Sequence, residues 1–273
     1  MALTKVLVTV KTYPSISSKY EELVCTAGFL EDGSWVRIYP IQFRKKSYEQ
    51  QYKKYDWIEL DLVKNKSDFR PESYRPRSHD EEIKIINHLG TENNWAERKK
   101  FVLGKVYYNL TELISEAHNK EICTSLAVFK STRILDFTIE EVEREWDKKK
   151  FAKLEAERLQ GNLFQQPENP FKVVKKLPYK FSYVFEDNQG KRSKMMIEDW
   201  EIGQLYWNCL ERHNGDELKA VKDVKKKYFD DFAKTKDLHF FLGTSQIHHF
   251  GTHNPFMIIG TFHPNKETQV SLF

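Results

Sequence analysis

Apolar and polar positions alternate with a period of two through much of the first quarter of the chain. Lys5–Lys11 (Lys-Val-Leu-Val-Thr-Val-Lys) is β-branched, and Glu22–Leu30 and Trp35–Ile41 are largely apolar runs. Tyr55–Lys64 sets Trp57, Glu59, Asp61 and Val63 on one face against Ile58, Leu60 and Leu62 on the other. Such segments read as strands. Glu31-Asp32-Gly33-Ser34 separates the second from the third. Asp-Gly between two β-rich runs predicts a hairpin with a type I′ turn, because Asp tolerates and Gly freely adopts positive φ. Strands this closely spaced suit a barrel or half-barrel better than a βαβ unit.

The pattern then changes. Thr91–Lys100 has an N-cap candidate and basic residues at its end, which predicts a helix, and Leu110–Ala117 predicts another. Leu126–Lys130 and Arg133–Asp136 are short β-like runs expected to return and close the first barrel. Thr138-Ile-Glu-Glu141 fits a capping box opening a charged helix to about Gln160, with Gly161 at its end and a linker over Gly161–Asn169. Beyond it, Phe171–Lys175, Tyr179–Glu186 and Arg192–Ile197 read as strands, the last two joined by a turn at Asp187–Gly190. Trp200–Arg212 and Leu218–Phe232 are amphipathic helices, and Leu238–Leu242 and Pro255–Phe262 are strands. The expected organisation is an α+β protein of two small β-barrels joined and decorated by helices. Residues 1–138 form the first domain with a helical insertion, 139–169 the helix and linker, and 170–273 the second domain and tail.

Composition narrows this only mildly. The chain has 273 residues, 31% charged and 14% aromatic, which is globular rather than disordered. A formal charge of +4 permits a nucleic-acid partner without demanding one. Cys25, Cys123 and Cys209 lie far apart, so buried thiols are expected rather than a disulfide framework. No apolar run approaches the roughly 20 residues that span a bilayer, and the first residues lack a signal-peptide core. The expectation is a cytoplasmic protein.

Local clustering carries more. Phe43–Tyr55 holds Arg44, Lys45, Lys46, Lys53 and Lys54; Lys64–Arg77 holds Lys64, Lys66, Arg70, Arg75 and Arg77 around Tyr74. Arginine and lysine neutralise phosphates while aromatic faces stack on unpaired bases. On the third strand, Arg37 and Tyr39 share a face with Trp35, as a stacking platform would require; the same aromatics would equally serve as a core face. The candidate nucleic-acid residues are therefore Arg37, Tyr39, Arg44, Lys45, Lys46, Arg70, Tyr74, Arg75 and Arg77. The competing reading is a solvated loop pairing with Asp56, Glu59 and Asp61.

No catalytic or cofactor motif accompanies these segments. There is no P-loop, GxGxxG, GxSxG or HExxH, so no catalytic residue, cofactor or metal ligand is assigned. Asp56, Glu59 and Asp61 near Lys64 are the only hint of a metal-dependent nuclease, without the expected spacing. His239, His248, His249, His253 and His263 read as polar-loop histidines. The last residues, Gln269-Val-Ser-Leu272-Phe273, resemble the short peptide by which bacterial replication proteins dock on a sliding clamp, where Leu-Phe fills an apolar pocket and Gln supplies amide hydrogen bonds.

Lys5-Val-Leu-Val-Thr-Val-Lys-Thr-Tyr-Pro14, Tyr20–Gly28, Asp32-Gly-Ser-Trp-Val-Arg-Ile-Tyr-Pro-Ile41, Lys54–Trp57, Arg70-Pro-Glu-Ser-Tyr-Arg-Pro76, Asp237–Thr244 and Phe256–Phe262 resemble a poorly characterised prokaryotic family with a dual-OB-containing domain. The resemblance spans nearly the whole chain. It implies two OB-like barrels and nucleic-acid binding in genome maintenance or mobile-element defence, and it brings no catalytic residues. Since folds host many activities, an interaction module of a larger complex stands as the alternative, with a metal-dependent nuclease behind it.

Overall fold

The computed structural model describes residues 3–17, 21–78, 80–147, 152 and 174–267. They form a mixed α+β fold, richer in strands than in helices. Two units interleave along the chain: residues 1–65, 73–87 and 140–180 form the first, and residues 66–72, 88–139 and 181–273 the second. No described helix is long and apolar enough to cross a membrane.

The first unit is built on an eight-stranded sheet. Its strands are β1 (Thr4–Lys11), β2 (Ser15–Ser17), β3 (Glu21–Phe29), β4 (Trp35–Ile41), β5 (Asp56–Leu60), β6 (Leu62–Lys64), β7 (Ser73–Pro76) and β8 (Lys84–His88). Their order is β6-β7-β4-β3-β1-β5-β8, with β2 paired to β3. The four strands predicted in the first quarter of the chain are present, but the fourth breaks at Asp61 into β5 and β6. Val6, Leu7, Val8, Val10, Val36, Ile38, Ile58 and Leu60 are buried completely. Burial of such side chains contributes about 1.5–3 kcal/mol each. Gly28 is required where β3 meets β1, since a Cβ there would run into the Leu7 carbonyl.

The β3–β4 hairpin is where the pattern placed it, with a different turn. Gly33 alone takes positive φ (82°), and its N–H donates to the Leu30 carbonyl. Asp32 instead accepts the Ser34 N–H at 2.9 Å. The loop is thus a turn closed by a left-handed glycine rather than type I′.

The second unit is built on two sheets. One runs β15 (Phe256–Phe262), β14 (His239–Thr244), β10 (Leu126–Phe129), β9 (Val106–Tyr107); the other runs β11 (Arg133–Glu141), β12 (Tyr179–Glu186), β13 (Arg192–Met196). Residues 126–129 and 133–136 therefore do not close the first barrel: β10 pairs with β14 and β9, and β11 lies beside β12. Thr138–Glu141 is the end of β11, not a helix cap. Its β-branched and aromatic neighbours, with Phe137 packed on Phe181 and Tyr183, outweigh a local capping signal. Most of the predicted charged helix, and the whole linker over 161–169, lie outside the described residues.

Helices α1 (Glu92–Val102), α2 (Leu110–His118), α3 (Trp200–Arg212) and α4 (Glu217–Lys225) belong to this unit, and a π-helical stretch over Lys226–Ala233 continues the last. Asn109 caps α2 through the Thr111 and Glu112 N–H groups, and Leu110, Leu113, Ile114 and Ala117 bury one face. The predicted Thr91 cap makes no side-chain bond, and Asn93, Asn94 and Trp95 at the start of α1 take left-handed φ. An aromatic core of Phe129, Phe185, Phe240 and Tyr183 joins the two sheets.

Candidate nucleic-acid interface

Two of the separate basic and aromatic segments meet on one edge of the first unit's sheet. Strand β7 lies between β4 and β6. Arg37 and Ile38 are in register with Ser73 and Tyr74, while Val63 and Lys64 oppose Arg75 and Tyr74. Strand neighbours place side chains within about 5 Å: Lys64 and Tyr74 share one face of this edge, while Arg75, one position on, turns to the other with Val63. Lys64 Nζ sits 4.7 Å from the Tyr74 ring centroid, a cation–π contact. Tyr39 is 36% exposed on β4. Arg75 is exposed, and its Nη1 donates to the Pro76 and Arg77 carbonyls at 3.1 and 3.3 Å, which fan the guanidinium outward at the strand end. Arg77 makes a bidentate pair with Asp61: Nε donates to Oδ2 at 2.6 Å and Nη2 to Oδ1 at 3.1 Å. That hydrogen bonding holds the Asp61 carboxyl below its ordinary range. The pair leaves half of the Arg77 side chain open to solvent.

The 3₁₀ turn Phe43–Lys45 carries the second basic segment. Lys45 is exposed. Arg44 Nη1 donates to Glu22 Oε2 at 2.6 Å, and the same oxygen accepts the Val174 N–H. Burial pushes the Glu22 carboxyl up, against the pull of those two donors. Lys46 Nζ donates to the Glu81 carbonyl at 2.7 Å, and burial lowers its ammonium.

Two of the expected contact residues are buried. Arg37 is only 3% exposed, its Nη1 3.6 Å from Cys25 Sγ. Arg70 is also interior, in the loop over residues 66–72 that belongs to the second unit. Its Nε and Nη2 donate to the Asp68 carboxylate at 2.5–3.1 Å and its Nη1 to the Thr244 carbonyl at 2.5 Å. A guanidinium held by three acceptors in the interior serves as a structural clamp between the loop and β14.

The histidine reading also changes. His239 and His249 are buried rather than in polar loops. His249 Nε2 lies 2.8 Å from the Ala117 carbonyl, which can only accept, so Nε2 carries the proton and Nδ1 accepts from Thr244 Oγ1 at 2.7 Å. Cys123 Sγ is 3.5 Å from Nε2. Burial raises the Cys123 thiol and lowers the His249 imidazole, so it opposes the charged form of each. Asp56 accepts the Lys53 N–H and Asp61 holds Arg77, while no cluster of three or more His, Cys, Asp or Glu suited to a metal occurs among the described residues. Gln269, Leu272 and Phe273 lie outside the described residues.

Lys64 joins the surface although it is not among the candidates drawn from the sequence; its place opposite Tyr74 follows from the β6–β7 register, which the sequence does not encode locally. Phe69 is likewise missed inside the basic segment, although an apolar ring in a polar loop is a visible signal.

Residues 2–104 match the family model described as "Domain of unknown function (DUF8758)", and residues 106–273 match that described as "Domain of unknown function (DUF8757)". No curated protein matches the chain. Among solved structures, "Structure of murine DNA binding protein bound with ds DNA" is similar at a TM-score of 0.32 and 11% identity, over 98% of this chain and 98% of that one. A likeness that loose carries no argument about fold or ligand.

Proposed function

We propose that this chain, which belongs to the family described as Domain of unknown function (DUF8757), is a nucleic-acid-binding protein. Its contact surface is the β4–β7–β6 edge and the adjoining 3₁₀ turn: Tyr39, Arg44, Lys45, Lys46, Lys64, Tyr74, Arg75 and Arg77. The observation that carries the reading is the register of β7, which sets Lys64 against Tyr74 on one face of the sheet edge and leaves Arg75 exposed at the next position. Cations in such a row neutralise successive phosphates, and aromatic rings among them stack on bases. The reading includes an OB-like barrel for the first unit, in keeping with the antiparallel pairing of β1, β3, β4 and β5. It also includes a cytoplasmic setting and the resemblance to the dual-OB-containing family.

Labelled single-stranded DNA, duplex DNA and RNA, titrated by anisotropy at low and moderate salt, test this. Binding that weakens steeply with salt, and weakens further in Arg75→Ala/Arg77→Ala, supports it. Absence of salt-sensitive binding at low ionic strength ends it.

A further inference from the structure

The second unit displays two large, half-exposed aromatic rings side by side. Phe69 is 48% exposed and Phe250 43% exposed, and they stack with centroids 5.0 Å apart and planes 26° from parallel. Ile247, three positions before Phe250, is 86% exposed. The rings come from two loops, residues 66–72 and 245–254, which are tied together from beneath. Arg70 bridges Asp68 and the Thr244 carbonyl, Gln246 Nε2 donates to the Ser67 carbonyl at 2.6 Å, and the edge of His249 meets both rings at 5.3 and 4.7 Å. Buried ion pairing and buried imidazole thus fix an apolar knob on the outside of the molecule. Exposed apolar groups held this firmly mark a contact surface.

Charge selects the partner. Within these two loops the exposed ionisable groups are Lys66, His248 and His253. Both acids are engaged within the protein: Asp68 is buried against Arg70, and the half-buried Glu72 accepts from the Ser125 hydroxyl. The two loops therefore offer flat aromatic faces with a cationic and imidazole fringe, and neither carries a fully exposed carboxylate. An unpaired nucleobase with its flanking phosphates is the ligand with that chemistry.

We infer that Phe69 and Phe250 form a base-stacking platform for single-stranded nucleic acid, which selects unpaired bases beyond the contacts of the basic sheet edge. This deepens the nucleic-acid reading above and rests on it for the identity of the ligand class.

The test uses the full-length chain with labelled oligo-dT, oligo-rU and a duplex of the same length. Phe69→Ala/Phe250→Ala is expected to lose at least about tenfold in single-strand affinity, as removal of a stacking ring does, with duplex affinity and melting temperature unchanged. Separately, Phe69→Trp keeps a ring at the platform and should retain affinity. Oligo-dT or oligo-rU should quench the tryptophan emission of that variant beyond the quench seen with wild type, telling DNA from RNA by which titrates at lower concentration. Unchanged single-strand affinity in the double variant, or no added quench in Phe69→Trp under saturating oligonucleotide, overturns the inference. So does an equal loss for duplex, which would mean the rings support the fold or a backbone contact only. The two readings fail separately. If Arg75→Ala/Arg77→Ala leaves binding intact while the phenylalanine pair abolishes it, the sheet-edge surface falls and the platform stands. If duplex binds and single strands do not, the platform falls and the sheet edge stands.

Discussion

Arg70 and Arg75 occupy one short segment, Arg-Pro-Glu-Ser-Tyr-Arg-Pro, yet the fold uses them in opposite ways. Arg70 lies in the loop over residues 66–72, interior, with its donors directed at Asp68 and the Thr244 carbonyl. Arg75 lies on β7, exposed, bonded to carbonyls at its own strand end. What separates them is not residue type or proline spacing. It is a carboxylate two positions away together with an acceptor 174 positions along the chain for the one, and an edge strand pair facing solvent for the other. A basic run is thus not one feature: its members divide into scaffold and surface according to partners that only the fold supplies.

The sharpest way to break that comparison is to remove each arginine in turn. Arg70→Ala leaves the Asp68 carboxylate buried without its counter-ion, and losing one partner of a buried pair costs about 3–5 kcal/mol. Urea denaturation should show that loss, while nucleic-acid affinity of the remaining folded protein stays near wild type. A mild stability change would move Arg70 back to the surface class. Arg75→Ala/Arg77→Ala should do the reverse. Stability should hold, and the slope of log affinity against log salt should shrink by roughly 0.9 for each phosphate no longer neutralised, read from anisotropy at several salt concentrations.

The scaffold side can be sharpened with pH. Burial lowers His239 and His249 below the ordinary imidazole value of 6.5. The unfolded chain then binds more protons than the folded one as pH falls through that value. Stability is complete above about pH 6.5 and declines below it, until the lowered values are reached, by at most about 1.4 kcal/mol per pH unit for each histidine. Replacing His249 with Gln should flatten the fall in denaturation midpoint between about pH 7.5 and about pH 5.5; an unaltered fall would assign it to other groups. On the surface side, Tyr74→Leu removes the ring under Lys64. It should cost about 0.5–1 kcal/mol of stability and a smaller share of binding than the arginines.

Much of the fold was legible because its signals are local. β-Branched and apolar runs located β1, β3 and β4, alternation located β5 and β12, and the break at Asn214–Asp216 separated α3 from α4, where Asp216 caps the latter. What was not legible is long-range. The destination of residues 126–129 depends on pairing with Gly243–Phe240, and Thr138–Glu141 followed its aromatic partners into a strand despite a capping pattern. The same holds for the site. Tyr74 and Arg75 could be singled out by type, but Arg37 and Arg70 could not be excluded, because their burial is decided by Cys25, Asp68 and Thr244 packing around them.

The central claim is that the β4–β7–β6 edge binds nucleic acid through its exposed cations. Anisotropy of labelled single-stranded DNA, duplex DNA and RNA with wild type and Arg75→Ala/Arg77→Ala, at low and moderate salt, tests it most directly. The account predicts salt-sensitive binding to at least one of them, weakened by the double substitution at unchanged stability. Binding that is absent at low salt, or that ignores the loss of both arginines, would contradict it.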